Sequence, residues 1–265
     1  MTQSDQLDVD AIRKELRTTG ISREILIFRS TASTNDIAWE YATNEKNNGL
    51  CIFAEHQTAG RGRGANEWLS DAGDSVLCSI LVLDCKCGAE LLTLTAAVAT
   101  AQAINGCSKL DARLKWPNDI IIKGKKVAGI LLESKTTDDR FDYVIGIGIN
   151  CHQTKDFFGR HKLRMPATSI NILSNTTVDR NSLAAELLTS LDEWLTIAQT
   201  DSRRIIDTWS RLSSQLGHYI TVEYNQQQFS GNCVGVDPAR GLILKLDDGG
   251  VRMFDAAHTT IVKHL

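Results

Sequence analysis

Residues 120–132 read IIIKGKKVAGILL. Two apolar runs, at 120–122 and 127–132, flank the turn Lys123-Gly124-Lys125. Apolar segments joined by a short turn with glycine are typical of a β-hairpin, because glycine readily adopts the positive φ angles of tight turns. The stretch therefore predicts two paired antiparallel strands near the middle of the chain.

Further apolar runs lie on both sides of this hairpin. Their short lengths and flanking turn residues favour strands. The predicted strands are residues 25–28, 50–54, 75–83, 112–116 and 143–149.

Helical spacing marks several of the segments between the strands. Leu91, Leu94 and Val98 recur at the interval of a helix that packs one face against a core. Ser33-Thr34-Asn35-Asp36 places a hydroxyl and an acid three residues apart before apolar residues, which predicts a helix start with a capping box. Other helices are predicted for residues 9–16, 183–194 and 205–216.

The character of the sequence changes after Gly217. Short strands are predicted for residues 219–223, 229–236, 242–246, 251–254 and 260–262. Turn signals such as Asp237-Pro238 separate them. A run of short strands in so small a segment indicates a small barrel. We therefore predict a leader at 1–29, a main domain at 30–216 and a C-terminal barrel at 217–265.

Composition narrows the functional classes. The 265 residues carry a formal net charge of −3, whereas general nucleic-acid binders usually carry a basic excess. No segment reaches the length of a membrane-spanning helix. The seven cysteines are odd in number and follow no secretory signal, which indicates reduced thiols and a cytoplasmic protein.

Three glycines alternate with two arginines in Gly60-Arg61-Gly62-Arg63-Gly64, which we call the glycine–arginine loop. Backbone amides of such a loop can form an anion-binding nest, and the arginine forks suit phosphate or carboxylate. A flexible surface loop and an RG-type contact with nucleic acid are the alternatives. The motif alone barely favours ligand binding.

Polar side chains stand at the ends of predicted strands. One predicted strand ends at Pro117 in the segment Lys115-Trp116-Pro117-Asn118-Asp119. An acidic residue at the end of a strand, such as Asp119, can bind Mg²⁺ together with a phosphate. Lys126 opens the next strand, where its charge can face a buried anion, and Gly129 leaves room for a flat ligand. The plainer interpretations are an Asn-Asp turn and a solvated lysine.

Gly146 and Gly148 occupy alternate positions of the apolar strand VIGIGIN, residues 144–150. Because side chains alternate along a strand, these glycines clear one of its faces. A ring stacked on the backbone would fill the cleared space. The segment is not a dinucleotide-binding fingerprint, since it departs from G-x-G-x-x-G.

Together and in this order, the segments resemble the biotin protein ligase family. The matching residues are STND at 33–36, E-x-Q-x-A-G-R-G-R at 55–63, Trp68, KWPND at 115–119, KKVAGILLE at 125–133, GIGIN at 146–150 and ATS at 167–169. The resemblance implies an α+β fold, in which a mixed-sheet catalytic domain related to class II aminoacyl-tRNA synthetases precedes a small SH3-like β-barrel. It also implies activation of biotin with ATP to biotinyl-AMP and transfer to a lysine of a carboxylase subunit, the biotin carboxyl carrier protein.

The resemblance further implies roles for individual residues. The residues implied to hold biotin are Ser33, Thr34, Asn35, Gln57, Gly129 and Gly146. Those implied to close over biotin and the adenylate phosphate are Gly60, Arg61, Gly62 and Arg63, with Trp68 near the adenine. Asn150 and Asp119 are implied to lie near the nucleotide and its Mg²⁺. The implied catalytic residues are Arg61, Arg63, Lys115 and Lys126.

The sequence departs from the family pattern in three places. Gly64-Ala65-Asn66 replaces further Arg-Gly residues, which removes one cation from the phosphate side. Residues 257–263 lack the usual Gly-Glu-Val-Ser-type turn. Only 32 residues precede Ser33, too few for a winged helix-turn-helix domain, so we expect the ligase-only type with no DNA partner.

The sequence leaves further functions open. A lipoate-type ligase shares the fold and the adenylation chemistry, although STND, GRGR and KWPND favour biotin. A nucleic-acid-binding regulator and a non-catalytic biotin-binding regulator are two more candidate functions. A homodimer is expected from analogy with the family only.

Overall fold

The computed structural model describes residues 6–137, 140–174 and 176–264. Its helices are α1 (Val9–Glu15), α2 (Thr34–Tyr41), α3 (Ala89–Ser108), α4 (Lys155–Arg160), α5 (Ile170–Leu173), α6 (Arg180–Thr200) and α7 (Ser202–Leu212). Its strands are β1 (Ile25–Phe28), β2 (Cys51–Ala54), β3 (Ser75–Val82), β4 (Arg113–Lys115), β5 (Asp119–Ile122), β6 (Lys125–Thr137), β7 (Arg140–Asn150), β8 (Tyr219–Tyr224), β9 (Gln227–Asp237), β10 (Gly241–Leu246), β11 (Val251–Phe254) and β12 (Thr259–His264).

A seven-stranded sheet forms the centre of the molecule, in the order β1-β2-β3-β7-β6-β5-β4. Strands β1 and β2 are parallel and the other neighbours are antiparallel. The predicted hairpin is confirmed as β5 and β6. Lys123 and Gly124 have φ of 50° and 74°, as a tight hairpin turn requires.

Helices cover both faces of this sheet. Helix α3, which has twelve buried residues, packs with α6 on one face, and the predicted core helix is thereby confirmed. On the other face, Ala38 of α2 packs with Ile52 and Leu81 in a smaller apolar cluster. Alternate side chains of β2 and β3 enter the two clusters, because a strand turns successive side chains to opposite faces.

The start of the chain is tied to the main core. Leu7, Ile12 and Ile25 are buried in the larger apolar cluster. The backbone N–H of Leu7 donates to Glu55 Oε1 over 2.6 Å. The other oxygen of Glu55 accepts from Arg180 Nη1 over 2.7 Å in a buried ion pair. Residues 6–29, the described part of the predicted leader, thus contribute a helix, an edge strand and core side chains, while the boundaries at 30 and 217 stay predictions.

The five short C-terminal strands are confirmed. They form an antiparallel sheet in the order β11-β10-β9-β8-β12. Leu242, Leu244 and Phe254 are fully buried in it. The α+β class is therefore confirmed, whereas closure of this sheet into an SH3-like barrel stays a prediction.

Some local predictions were wrong or incomplete. Ser33 is the N-cap of α2, but its side chain makes no capping hydrogen bond, so the capping box is wrong in that detail. Helices α4 and α5 were not predicted, because one turn or little more carries almost no periodicity. Among the described residues, no helix combines the length and apolar character that a membrane span needs.

Candidate active site

A small cavity of about 40 Å³ lies between α2, the middle of the sheet and the glycine–arginine loop; we call it the slot. Ten of the residues predicted for the site line it: Ser33, Thr34, Asn35, Gln57, Arg61, Gly62, Trp68, Lys126, Gly129 and Gly146. The structure therefore brings together residues from five separated motifs of the chain.

One end of the slot is a buried polar network. The backbone N–H of Thr34 donates to Gln57 Oε1 over 2.7 Å. Ser79 Oγ lies 2.7 Å from Thr34 Oγ1 and 2.6 Å from Asn35 Oδ1. Asn35 Nδ2 is buried and has no hydrogen-bond partner in the described part of the chain. Because buried amide donors are nearly always paired, this atom marks a place for a ligand acceptor.

The glycines of the sheet leave space for a ring. Gly129 and Gly148 are cross-strand partners on β6 and β7. The indole of Trp68 occupies the space, since a Cβ added at Gly148 would lie 2.5 Å from Trp68 Cε2, and one at Gly129 would lie 3.0 Å from Trp68 Cζ3. At Gly146 an added Cβ would overlap the amide of Asn35. A ring of the protein itself, the Trp68 indole, therefore lies in the cleared space, while the stacking of a ring on the strand backbone stays a prediction.

Arg61 closes the mouth of the slot as part of an ion-pair network. Its guanidinium donates to both carboxylate oxygens of Asp36, over 2.9 and 2.7 Å, and to Glu133 Oε1 over 3.0 Å. The second oxygen of Glu133 accepts from Trp39 Nε1 over 2.9 Å. Hydrogen bonding to Asp36, and then to Glu133, raises the pKa of Arg61, which stays a cation.

A second, larger cavity of about 530 Å³ adjoins the slot, and Gly62, Trp68, Asn118 and Lys126 line both. Four further predicted residues line the second cavity: Arg63, Lys115, Asp119 and Asn150. Its basic side chains are Arg63, Lys115, Lys126, Lys162 and Arg164, and its acidic ones are Glu67 and Asp119. The cavity therefore favours an anionic ligand.

Lys126 stands at the junction of the two cavities. Its ammonium lies 2.5 Å from Asp119 Oδ1 and 5.5 Å from the centre of the Trp68 ring. Its side chain is 27% exposed, so it is neither solvated on the surface nor sealed in the core. The interpretation as a plain solvated lysine is thereby excluded.

Arg63 reaches away from the slot to the C-terminal sheet. Its guanidinium donates to the carbonyl of Ala256, and to that of Thr259 over 2.7 Å. Burial lowers the pKa of Arg63, with Asp119 and Glu90 opposing that effect. Gly60 is in neither set of lining residues described for the two cavities, and its carbonyl accepts from the backbone N–H of Trp68 over 3.0 Å.

Several residues of the site were not predicted. Asp36, Asn118 and Glu133 stand in the quoted motifs STND, KWPND and KKVAGILLE, but no role was assigned to them. Ser79 is a polar residue within the apolar run SVLCSILVL, and that interruption was the available signal. Arg164 and Lys162 lie in a polar segment without any pattern that could have marked them.

Comparison with known proteins places this geometry in a family. Residues 27–150 match the model of the biotin/lipoate A/B protein ligase family. The chain is 31% identical to the bifunctional ligase/repressor BirA of Bacillus spizizenii, over 95% of this chain and 78% of that protein. It is 32% identical to the biotin–[acetyl-CoA-carboxylase] ligase of Paracoccus denitrificans, over 73% and 83%.

The fold is shared with solved structures. A biotin protein ligase from Aquifex aeolicus, in complex with biotin and ATP, superimposes with a TM-score of 0.76 at 21% identity, covering 91% of this chain and 99% of that one. The match to the Bacillus spizizenii protein, at 95% of this chain, extends over both the central sheet and C-terminal strands. This chain belongs to the biotin/lipoate A/B protein ligase family.

Proposed function

We propose that this protein is an ATP-dependent biotin–[acetyl-CoA-carboxylase] ligase. The observation that carries the proposal is the junction at Lys126 between two cavities. One is the small slot, in which the buried Asn35 Nδ2 has no partner among the described residues, and the other is the larger cationic cavity. The polar end of the slot suits the ureido group of biotin, the cationic cavity suits the phosphates of ATP, and the junction brings a carboxylate next to a phosphate. The relative from Paracoccus denitrificans, a biotin–[acetyl-CoA-carboxylase] ligase, agrees with this reaction.

The reaction has two steps. The carboxylate of biotin attacks the α-phosphate of ATP, which forms biotinyl-AMP and releases pyrophosphate. The amine of an acceptor lysine then attacks the acyl carbon, which forms the amide and releases AMP. The acceptor supplies the nucleophile, so the enzyme contributes alignment, which can lower a barrier by about 7–11 kcal/mol, and charge stabilisation.

Each cavity has its own task in this scheme. Ser33, Thr34, Asn35 and Gln57 hold the ureido ring, and Gly129 and Gly146 leave room for it. Lys126 stabilises charge at the acyl phosphate, while Lys115 and Asn150 contact the nucleotide. The slot of about 40 Å³ is too small for the bicyclic ring, so the Trp68 indole has to leave Gly148 as biotin enters and then lies between the two cavities.

The glycine–arginine loop shields the adenylate from water. Arg61 fixes one side of the loop to α2 and β6, and Arg63 fixes the other to the C-terminal sheet. A loop held on both sides of the slot can retain a reactive intermediate until the acceptor arrives.

Asp119 is the residue that would hold Mg²⁺. The described residues contain no group of three or more His, Cys, Asp or Glu side chains able to bind a metal alone. This fits Mg²⁺ bound through one carboxylate and the phosphates of its nucleotide, because Mg²⁺ rarely occupies an all-protein site beside ATP. When bound, the ion offsets phosphate charge.

The finer fold and cellular assignments are also part of this proposal. The superposition on the Aquifex aeolicus ligase supports a class II synthetase-like catalytic domain with a C-terminal SH3-like barrel. None of the seven cysteines, all of which lie in the described part of the chain, forms a disulfide, which supports a cytoplasmic location. The net charge of −3 supports a ligase without DNA binding, and family analogy supports a homodimer.

Transfer to an acceptor tests the proposal. Purified protein, ATP, Mg²⁺ and labelled biotin are incubated with a biotin carboxyl carrier protein, and label on the acceptor is measured. Lys126→Ala should slow labelling by about a hundredfold or more, the loss typical for a group that stabilises transition-state charge. Lys125→Ala is the matched control, since Lys125 is the exposed neighbour. No labelling by the wild type would refute the proposal.

A further inference from the structure

Ser79 lies within the apolar strand β3, behind the polar end of the slot. We propose that Ser79 is a positioning residue that makes Asn35 a hydrogen-bond donor toward the ligand and so sets the specificity of the slot. The proposal rests on the proposed function, because it concerns how the same slot recognises its ring. Ser79 is fully buried and acts only through Thr34 and Asn35.

The distances fix the direction of the hydrogen bonds. The 2.6 Å between Ser79 Oγ and Asn35 Oδ1 is an O–H···O length, whereas N–H···O bonds centre at about 2.9–3.0 Å. The Asn35 atom that faces Ser79 is therefore its carbonyl oxygen, which can only accept. Ser79 Oγ is the donor toward Asn35 Oδ1 and also toward Thr34 Oγ1, at 2.7 Å, while Thr34 Oγ1 itself donates to Gln57 Oε1 over 3.1 Å.

Residues of two neighbouring strands position the side-chain amide of Asn35. Ser79 and Gly146 are cross-strand partners in β3 and β7. A Cβ at Gly146 would overlap Asn35 Oδ1, so only glycine leaves room for the amide against the sheet. Ser79 and Gly146 thus hold the Asn35 side chain from two directions, and both are needed for its orientation.

This orientation determines what the nitrogen of the Asn35 amide can bind. With its oxygen fixed by Ser79, Asn35 turns Nδ2 away from Ser79, and this buried nitrogen has no partner within the described residues. It therefore demands a hydrogen-bond acceptor from the ligand. The carbonyl oxygen of a cyclic urea supplies one, whereas a dithiolane ring supplies none.

Gln57 is oriented without help from Ser79. The backbone N–H of Thr34 can only donate, so it fixes Gln57 Oε1 as the acceptor and leaves Nε2 as the donor. Without Ser79, in contrast, nothing distinguishes the two ends of the Asn35 amide, which can rotate to present an acceptor instead. Loss of Ser79 should therefore relax specificity and not only weaken binding.

Calorimetric titration with biotin and with 2-iminobiotin tests the inference. The ring of 2-iminobiotin presents an N–H group where biotin presents its carbonyl oxygen. Ser79→Ala should weaken biotin binding roughly tenfold, the effect of one hydrogen bond to a buried group, and should lower the preference for biotin over 2-iminobiotin by a similar factor. The KM for ATP should not change.

Matched variants separate positioning from stability. Ser75→Ala removes another fully buried hydroxyl of β3, which accepts from Gln153 Nε2 over 2.6 Å, and should leave ligand preference unchanged. Ser79→Thr retains the hydroxyl and should restore the preference. If Ser79→Ala does not fold, Ser79→Cys, a weak donor of similar size, should show the same loss in smaller measure.

Two different failures are distinguishable. A Ser79→Ala protein with unchanged preference for biotin over 2-iminobiotin would overturn the inference and leave the proposed function intact. A wild-type protein that binds no biotin would overturn both.

Discussion

Ion pairs fix the position of the Arg61 guanidinium at the edge of the slot. Its partners Asp36 and Glu133 have side chains that are 48% and 26% exposed. An isolated ion pair of this exposure contributes only about 0–1 kcal/mol. Here the bidentate contact with Asp36 and the Trp39–Glu133 hydrogen bond add geometric constraint, so the network holds a loop more than it stabilises the fold.

Removal of both carboxylate charges should loosen this attachment. We expect Asp36→Asn combined with Glu133→Gln to release biotinyl-AMP several-fold faster, because Arg61 no longer ties the loop to α2 and β6. The release of labelled adenylate from the enzyme measures the effect. Glu45→Gln, which removes the surface partner of Arg140 at 2.7 Å, is the control. Equal release rates in wild type and double variant would contradict the attachment.

The sequence predicted the residues that line the slot better than it predicted their hydrogen-bond partners. Ser33, Thr34, Asn35 and Lys126 stood in motifs, and the structure places them in the slot. Their hydrogen-bond partners lie in distant parts of the sequence that only the fold brings together. Ser79, for example, lies 44 residues from Asn35. A spacing rule cannot pair residues across a sheet whose strand order is unknown.

At the scale of elements, β7 combines a structural and a functional requirement. Apolar side chains on one face are buried in the larger apolar cluster, while Gly146 and Gly148 clear the other face. Glycine weakens a strand, so the central position of β7, between β3 and β6, supports it through two full ladders.

A side chain at Gly148 should disturb the slot specifically. Its Cβ would lie 2.5 Å from the Trp68 ring, so Gly148→Ala displaces the indole and narrows the space for a ligand ring. We expect a change in tryptophan fluorescence and biotin binding weaker by about tenfold or more, by analogy with overpacking costs of about 1–3 kcal/mol. Gly159→Ala is the control, since no atom lies within 4 Å of its added Cβ. Unchanged fluorescence and affinity would place Trp68 elsewhere in solution.

Prediction of elements followed the strength of their patterns. Long apolar elements such as α3 and β3 were recognised, because burial imposes a clear period. Strand β6 continues to Thr137 and strand β7 begins at Arg140, so both are longer than predicted. The additional residues are mostly polar, and the apolar pattern used to predict strands does not include them. The capping box failed because the Ser33 side chain, 3% exposed, lines the slot instead of capping α2.

The two parts of the whole molecule meet at Arg63. This residue binds carbonyls that lie 193 and 196 positions away in the chain. We expect Arg63→Ala to release biotinyl-AMP prematurely, because the loop loses its attachment to the C-terminal sheet. A pulse of labelled ATP followed by filtration measures retention, with the exposed Arg240→Ala as control. Normal retention in Arg63→Ala would refute the role of this contact.

A carboxylate from α3 supports the same junction. Glu90 Oε1 accepts from the backbone N–H of Ala256 over 2.9 Å. Burial raises the pKa of Glu90, with the Ala256 hydrogen bond opposing that shift. A raised pKa means that the folded state binds protons more tightly than the unfolded state. The contribution to stability is therefore present at acid pH and is lost as the pH rises through the folded pKa.

Glu90→Gln removes this dependence and keeps an acceptor for Ala256. We expect the stability of the variant relative to wild type to increase from acid to neutral pH. Urea unfolding at a series of pH values measures it. A difference that does not change with pH would show that the pKa of Glu90 is not raised in the folded protein.

The sequence indicated the division of the molecule but not how its parts join. The change of pattern after Gly217 predicted five short strands, and all five are present. The contacts of Arg63 with Ala256 and Thr259 use backbone carbonyls, which carry no sequence signal. The divergent segment at 257–263 thus contributes to the junction even though it lacks the usual family turn.

Biotin-dependent exchange of pyrophosphate into ATP measures whether the protein activates biotin as an adenylate. Purified protein is incubated with Mg²⁺, ATP and labelled pyrophosphate, with biotin, with lipoate or with neither. We expect exchange with biotin alone, because the donor at Asn35 requires a ring that carries an acceptor. Exchange with lipoate instead, or with neither acid, would contradict it.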